Sequence, residues 1–157
     1  MGNHRTILTA SDVMRREVIA VAPDGLVDDG VRTLLSKRIS GAPVVVEGRI
    51  VGMFSERDAL TAMAAARYES MPTGTIEMHM RRDFLSVAPA TDVFALAAIF
   101  AARAVRRLPV VDEAGKLLGV VMRGDLLRAL FEHVALPERR PTPKTPLQRA
   151  AERLRDP

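Results

Sequence analysis

The chain has no cysteine and no tryptophan, and only one tyrosine and three histidines among its 157 residues. Without thiols there is no disulfide scaffold, thiol nucleophile or zinc–thiolate site. His4, His79 and His133 stand far apart in sequence, and no H-E-x-x-H or comparable spacing announces a metal centre. Gly-x-Ser-x-Gly, P-loop and dinucleotide fingerprints are also missing, so no nucleophile–base pair can be nominated and the chain is expected not to be an enzyme. Apolar runs fall short of the roughly 18 residues that span a membrane, and no charged-then-apolar signal segment opens the sequence. The expectation is a cytoplasmic protein without membrane association.

Apolar residues make up 48% of the sequence and charged residues 27%, an ordinary balance for a globular chain. The net charge of +4 is unevenly placed. From Pro137 onward, six basic residues face three acidic ones, a net of +3, and Pro137, Pro141, Pro143 and Pro146 interrupt any regular element. Residues 137–157 are therefore expected to be a mobile, basic, proline-rich tail, with a short basic helix over Leu147–Leu154 as its one candidate element.

A segment of the chain is written twice. Asp12-Val13-Met14-Arg15-Arg16 through Val21-Ala22-Pro23 returns as Met78-His79-Met80-Arg81-Arg82 through Val87-Ala88-Pro89, and Gly41-Ala42-Pro43-Val44-Val45 returns as Arg107-Leu108-Pro109-Val110-Val111, both at an offset of 66. Gly52-Met53-Phe54-Ser55-Glu56-Arg57-Asp58 returns as Gly119-Val120-Val121-Met122-Arg123-Gly124-Asp125 at an offset of 67. A duplicated unit of this size seldom buries its apolar face alone, so the copies are expected to share a core.

Within each copy the hydrophobic period changes in one order. After Pro23, Val27, Val31, Leu34 and Leu35 fall on one helical face, matched by Val93, Ala97, Phe100 and Ala101 after a Thr91-Asp92 helix start. Two short β-rich runs follow and read as a hairpin, with the extra residue of the second copy in its turn. Helices are expected over Glu56–Tyr68 and Arg123–Val134. Each copy is thus strand–helix–strand–strand–helix, a mixed α/β (α+β) unit with a small sheet flanked by helices. The division expected is residues 1–68 and 78–136 for the two units, 69–77 for the linker and 137–157 for the tail.

That order, the x-x-Pro-Val-Val strand and the Gly-x-x-Ser-x-x-Asp element resemble cystathionine β-synthase (CBS) domains, and two in tandem resemble a Bateman module. The likeness covers Ser11 to Phe131. It implies two units about a pseudo-two-fold axis and a homodimer. It also implies an adenosine-containing ligand of the AMP, ADP or ATP class, with NAD and S-adenosylmethionine as alternatives and no other cofactor.

Site candidates follow. A hydroxyl and a carboxylate three residues apart at a helix start suit a phosphate and a ribose diol respectively. The resemblance gives those roles to Ser55 and Asp58, with Arg57 between them. The same spacing equally describes a capping box. In the second copy Asp125 remains, but Met122 replaces the serine, and a thioether cannot donate to phosphate. Arg106 and Arg107, just before a strand that lines the family's cleft, have the charge and fork geometry for phosphate oxygens; a solvated basic cluster is the alternative. An apolar slot for adenine has candidates in Val18, Ile19, Ala42 and Pro43 of the first copy and Phe84, Leu85, Leu108 and Pro109 of the second, all of which also read as strand core.

The function expected is a non-catalytic regulatory module that binds an adenosine nucleotide between its units and signals occupancy to an unidentified effector protein. The competing expectation is an interaction protein with vestigial clefts, whose basic tail engages nucleic acid or an acidic partner. Against nucleic acid stands the lack of aromatic residues among the tail's charges.

Overall fold

The structure, a computed structural model, describes residues 7–133. The basic tail and its short helix lie outside the described residues. In chain order the elements are α1 (Ala10–Val13), α2 (Val27–Lys37), β1 (Gly41–Val46), β2 (Arg49–Ser55), α3 (Glu56–Glu69), a 3-10 turn at Ile76–Met78, α4 (Val93–Ala102), β3 (Arg107–Val111), β4 (Leu117–Met122) and α5 (Arg123–His133).

The periodicity that selects these elements has local punctuation. Asp92 caps α4, its Oδ1 accepting from the N–H groups of Phe94 (2.9 Å) and Ala95 (2.8 Å), which satisfies two otherwise orphaned donors. β1 and β2 pair antiparallel through a two-residue turn, Glu47-Gly48, both at positive φ, the conformation that matches strand twist in tight hairpins. β3 and β4 pair likewise, but Asp112 to Lys116 make a longer turn, pinned where Asp112 Oδ1 accepts from Ala114 and Lys116 N–H at 2.9 Å each. The extra residue of the second copy sits in this turn. Both ladders carry a register shift at the same place, Val44/Val45 and Val110/Val111, as duplication requires.

The opening strand of each copy is reduced to single bridges, because the segment is stretched between two sheets. Arg15 exchanges backbone hydrogen bonds with Val120 of β4, and six residues later Val21 runs parallel to Val44 of β1. In the second copy Arg81 pairs with Met53 of β2, and Val87 with Val110 of β3. Each segment thus begins on the other copy's sheet and ends on its own. Gly52 and Gly119 permit this crossing: a Cβ at Gly52 would lie 2.9 Å from the Arg81 carbonyl oxygen, and one at Gly119 would lie 2.7 Å from that of Arg15.

The exchange extends to the cores. Ala10 and Met14 pack with Val93, Leu96, Leu108, Val110 and Val121 of the second copy. Ile76 and Met80 pack with Val27, Leu34, Val44 and Phe54 of the first. Ile76, inside the expected linker, is therefore a core residue of the unit before it. Burial of one such side chain contributes about 1.5–3 kcal/mol, so neither copy can lose the other's opening segment without opening its own core.

Candidate functional site: a cationic cleft between the units

The segment Arg81–Leu85, crossing from β2 to β3, walls a cleft of about 600 Å³. The β2–α3 junction at Ser55, Glu56 and Arg57, the start of β1 at Ser40 and Gly41, and the connection from Arg103 to Arg107 line it as well. The volume falls in the range of small-molecule clefts, roughly 300–1,000 Å³. Five arginines (57, 81, 103, 106 and 107) and two acids, Glu56 and Asp83, line it, a net of +3. Phe84, Leu85 and Pro109 supply an apolar wall. Arginines, an apolar patch and the positive end of α3 in one cleft suit a ligand that carries both anionic groups and a flat apolar part.

Ser55 and Asp58 form a complete capping box. Asp58 Oδ2 accepts from the Ser55 N–H (2.8 Å) and hydroxyl (2.6 Å), and the Asp58 N–H donates to Ser55 Oγ at 3.3 Å. The hydroxyl proton is committed to Asp58, so in this state Ser55 offers the cleft an acceptor rather than a donor. Arg81 approaches the same carboxylate through Nε at only 3.9 Å. Glu56 N–H donates to the Ser40 carbonyl at 3.0 Å, which ties the start of α3 to the start of β1.

Arg107 spans the units. Its Nη1 donates to the Gly41 carbonyl and its Nη2 to Ser40 Oγ at 2.9 Å. Burial and the neighbouring Arg106 hold its guanidinium below the ordinary value, with Glu56 acting the other way. A half-buried guanidinium beside a second one gains from an incoming anion.

A model of the CBS domain family matches residues 10–65 and 75–132. The chain belongs to the CBS domain family. Its two units form a tandem CBS pair, a Bateman module. Among solved structures, the CBS-pair protein CBSX2 of Arabidopsis thaliana, in a crystal structure in complex with AMP, is 30% identical with a TM-score of 0.71, covering 79% of this chain and 96% of that one. The CBS domain-containing protein YhcV of Bacillus subtilis is 29% identical over 75% of this chain and 82% of its own length. MJ1225 of Methanocaldococcus jannaschii is 28% identical over 76% of this chain, but the chain spans only 41% of that protein.

The cleft draws on both CBS units, whereas the sequence orders its candidates by copy. Ser55 and Arg57 of the first unit meet Phe84, Leu85, Arg106, Arg107 and Pro109 of the second. Asp58 stands behind Ser55, its side chain 10% exposed. Leu108, Ala42 and Pro43 are buried inside the hairpins, while Val18 is half-buried and Ile19 exposed, and none of these lines the cleft. Asp125 lies in the pseudo-symmetric position, where Arg15 holds it from Nε at 2.6 Å and Nη2 at 2.9 Å. Arg81 and Asp83 are cleft residues that the sequence reading passed over; the Met14-Arg15 and Met80-Arg81 repetition was the available signal. Among the described residues no cluster of His, Cys, Asp and Glu could hold a metal ion, and no helix is long and apolar enough to cross a membrane.

Proposed function

We propose that the chain is a non-catalytic regulatory module that binds an adenosine nucleotide of the AMP, ADP or ATP class in the cleft between its CBS units. The observation that carries this reading is the juxtaposition of Arg57, Arg106 and Arg107 with the apolar wall of Phe84, Leu85 and Pro109 across one 600 Å³ cleft. The phosphates meet the arginines and the α3 N-terminus, and the base lies against the apolar wall. Asp58 takes the ribose diol once its long contact to Arg81 gives way. The likeness to CBSX2, whose crystal structure is in complex with AMP, supports the same ligand class.

Occupancy is transmitted through Arg107. A phosphate competes with Gly41 and Ser40 for its donors, so a bound nucleotide changes the tie between units and hence their relative placement. The proposal extends to a cytoplasmic homodimer that relays this change to an effector protein. Leu60 on α3 and Leu127 and Phe131 on α5 leave 69–85% of their surface exposed, an apolar supply for the dimer contact.

Thermal unfolding with AMP, ADP, ATP, NAD and S-adenosylmethionine tests the reading. A ligand at 100 times its Kd stabilises the native state by about 2.7 kcal/mol, so an adenosine phosphate must raise the midpoint by several degrees. No shift with any of them at millimolar concentration removes the proposal.

A further inference from the structure

We infer that the cleft around Asp125 is closed to nucleotide by the chain's own Arg15, so that each chain holds one nucleotide, in the Asp58 cleft. The inference rests on the proposed nucleotide reading and assigns its stoichiometry.

The backbone gives no reason for the two clefts to differ. Arg15 with Val120 and Arg81 with Met53 make the same reciprocal pair of hydrogen bonds, at 2.9 to 3.0 Å. The side chains diverge. Arg15 grips Asp125 with two nitrogens on two oxygens, at 2.6 and 2.9 Å, and leaves neither oxygen unengaged. Arg81 comes no closer to Asp58 than 3.9 Å, from Nε to Oδ2, beyond hydrogen-bond distance.

The cause lies three residues upstream of each aspartate. Ser55 holds the Asp58 carboxylate with its hydroxyl and N–H at 2.6 and 2.8 Å, turning it back onto the start of α3. The corresponding residue of the second unit is Met122, which has no hydroxyl to hold Asp125. A carboxylate released from its cap is taken by the nearest fork-shaped cation. The guanidinium then engages both of the oxygens that a ribose diol would use.

Titration calorimetry with ADP decides the count. The wild-type chain should bind one ADP per chain, and the double variant Arg15→Met/Met122→Ser should bind two. Two equivalent sites in the wild type, or one site in the double variant, would overturn the inference. The lock itself has a readout independent of nucleotide: in ¹⁵N spectra the Arg15 Nε–H should be protected from exchange in the wild type and lose protection in Asp125→Asn. An unprotected wild-type resonance overturns the lock. Failure of every form to bind AMP, ADP or ATP would sink the nucleotide reading and with it the count, while the Arg15 resonance still decides the lock.

Discussion

Arg107 donates across the cleft to the carbonyl of Gly41, the residue that occupies its own place in the other copy. Pseudo-symmetry brings equivalent positions together at the axis, and two guanidinium groups there would repel each other. One copy supplies the arginine, the other a bare backbone carbonyl and the Ser40 hydroxyl. The break in symmetry is thus a condition of the contact, and it gives the cleft a cation that can answer either to the protein or to a phosphate.

Replacing Arg107 by lysine keeps the charge and loses the fork. Hydrogen bonds involving a charged group contribute about 1.5–3 kcal/mol. Arg107→Lys should lower the unfolding midpoint without ligand and weaken ADP binding about tenfold or more. An unchanged midpoint and affinity would remove Arg107 from both roles.

Ser55→Met copies the second unit's residue into the first. Loss of the cap should cost about 0.5–2 kcal/mol in urea unfolding. It should also release Asp58 to Arg81, so that nucleotide affinity falls together with stability. Loss of stability with affinity intact would leave Ser55 as a cap alone.

Gly52→Ala should destabilise the protein by about 1–3 kcal/mol, through overpacking, since its Cβ would meet Met80 Sδ at 2.8 Å and the Arg81 carbonyl oxygen at 2.9 Å. Gly124→Ala, where a Cβ has nothing within 4 Å, is the control and should be neutral or slightly stabilising. Equal effects at the two positions would contradict the crossing of the opening segments.

Acid should expose the Arg15–Asp125 pair. The hydrogen bond from Arg15 holds the Asp125 carboxyl below its ordinary 3.8, against the opposing effect of burial. Asp12, bound by the Thr9 N–H and hydroxyl, is lowered as well. A carboxylate with a depressed folded pKa contributes stability above its unfolded value and loses it as pH falls through the folded one. Stability measured by urea unfolding should therefore decline as pH drops below about 3.8, and Arg15→Met should flatten that decline. An identical acid profile in the variant would show the pair to be energetically silent.

Much of this architecture was legible in the sequence because duplication and period speak through residue type. The helix expected over Glu56–Tyr68 runs to Glu69, and Thr91-Asp92 delivers the α4 cap at Asp92. The hairpins fall where the valine runs placed them. Which copy each opening segment packs against was not legible, because Ala10 and Met14 carry the same apolar signal whichever core receives them. The cleft's composition shares that ambiguity: Phe84 belongs to the second repeat by sequence and faces Ser55 of the first by topology. Ser55 against Met122 was visible as a difference, but its consequence, the transfer of Asp125 to Arg15, needs the two side chains in space.

Chemical-shift mapping with ADP on the ¹⁵N-labelled full chain addresses the nucleotide cleft itself. The amides of Ser55, Arg57, Phe84, Leu85, Arg106 and Arg107 should shift saturably and together, while those of Val18, Ile19 and Asp125 stay in place. Saturable shifts centred on Asp125, or no saturable shift at all, would contradict a single nucleotide site between the units.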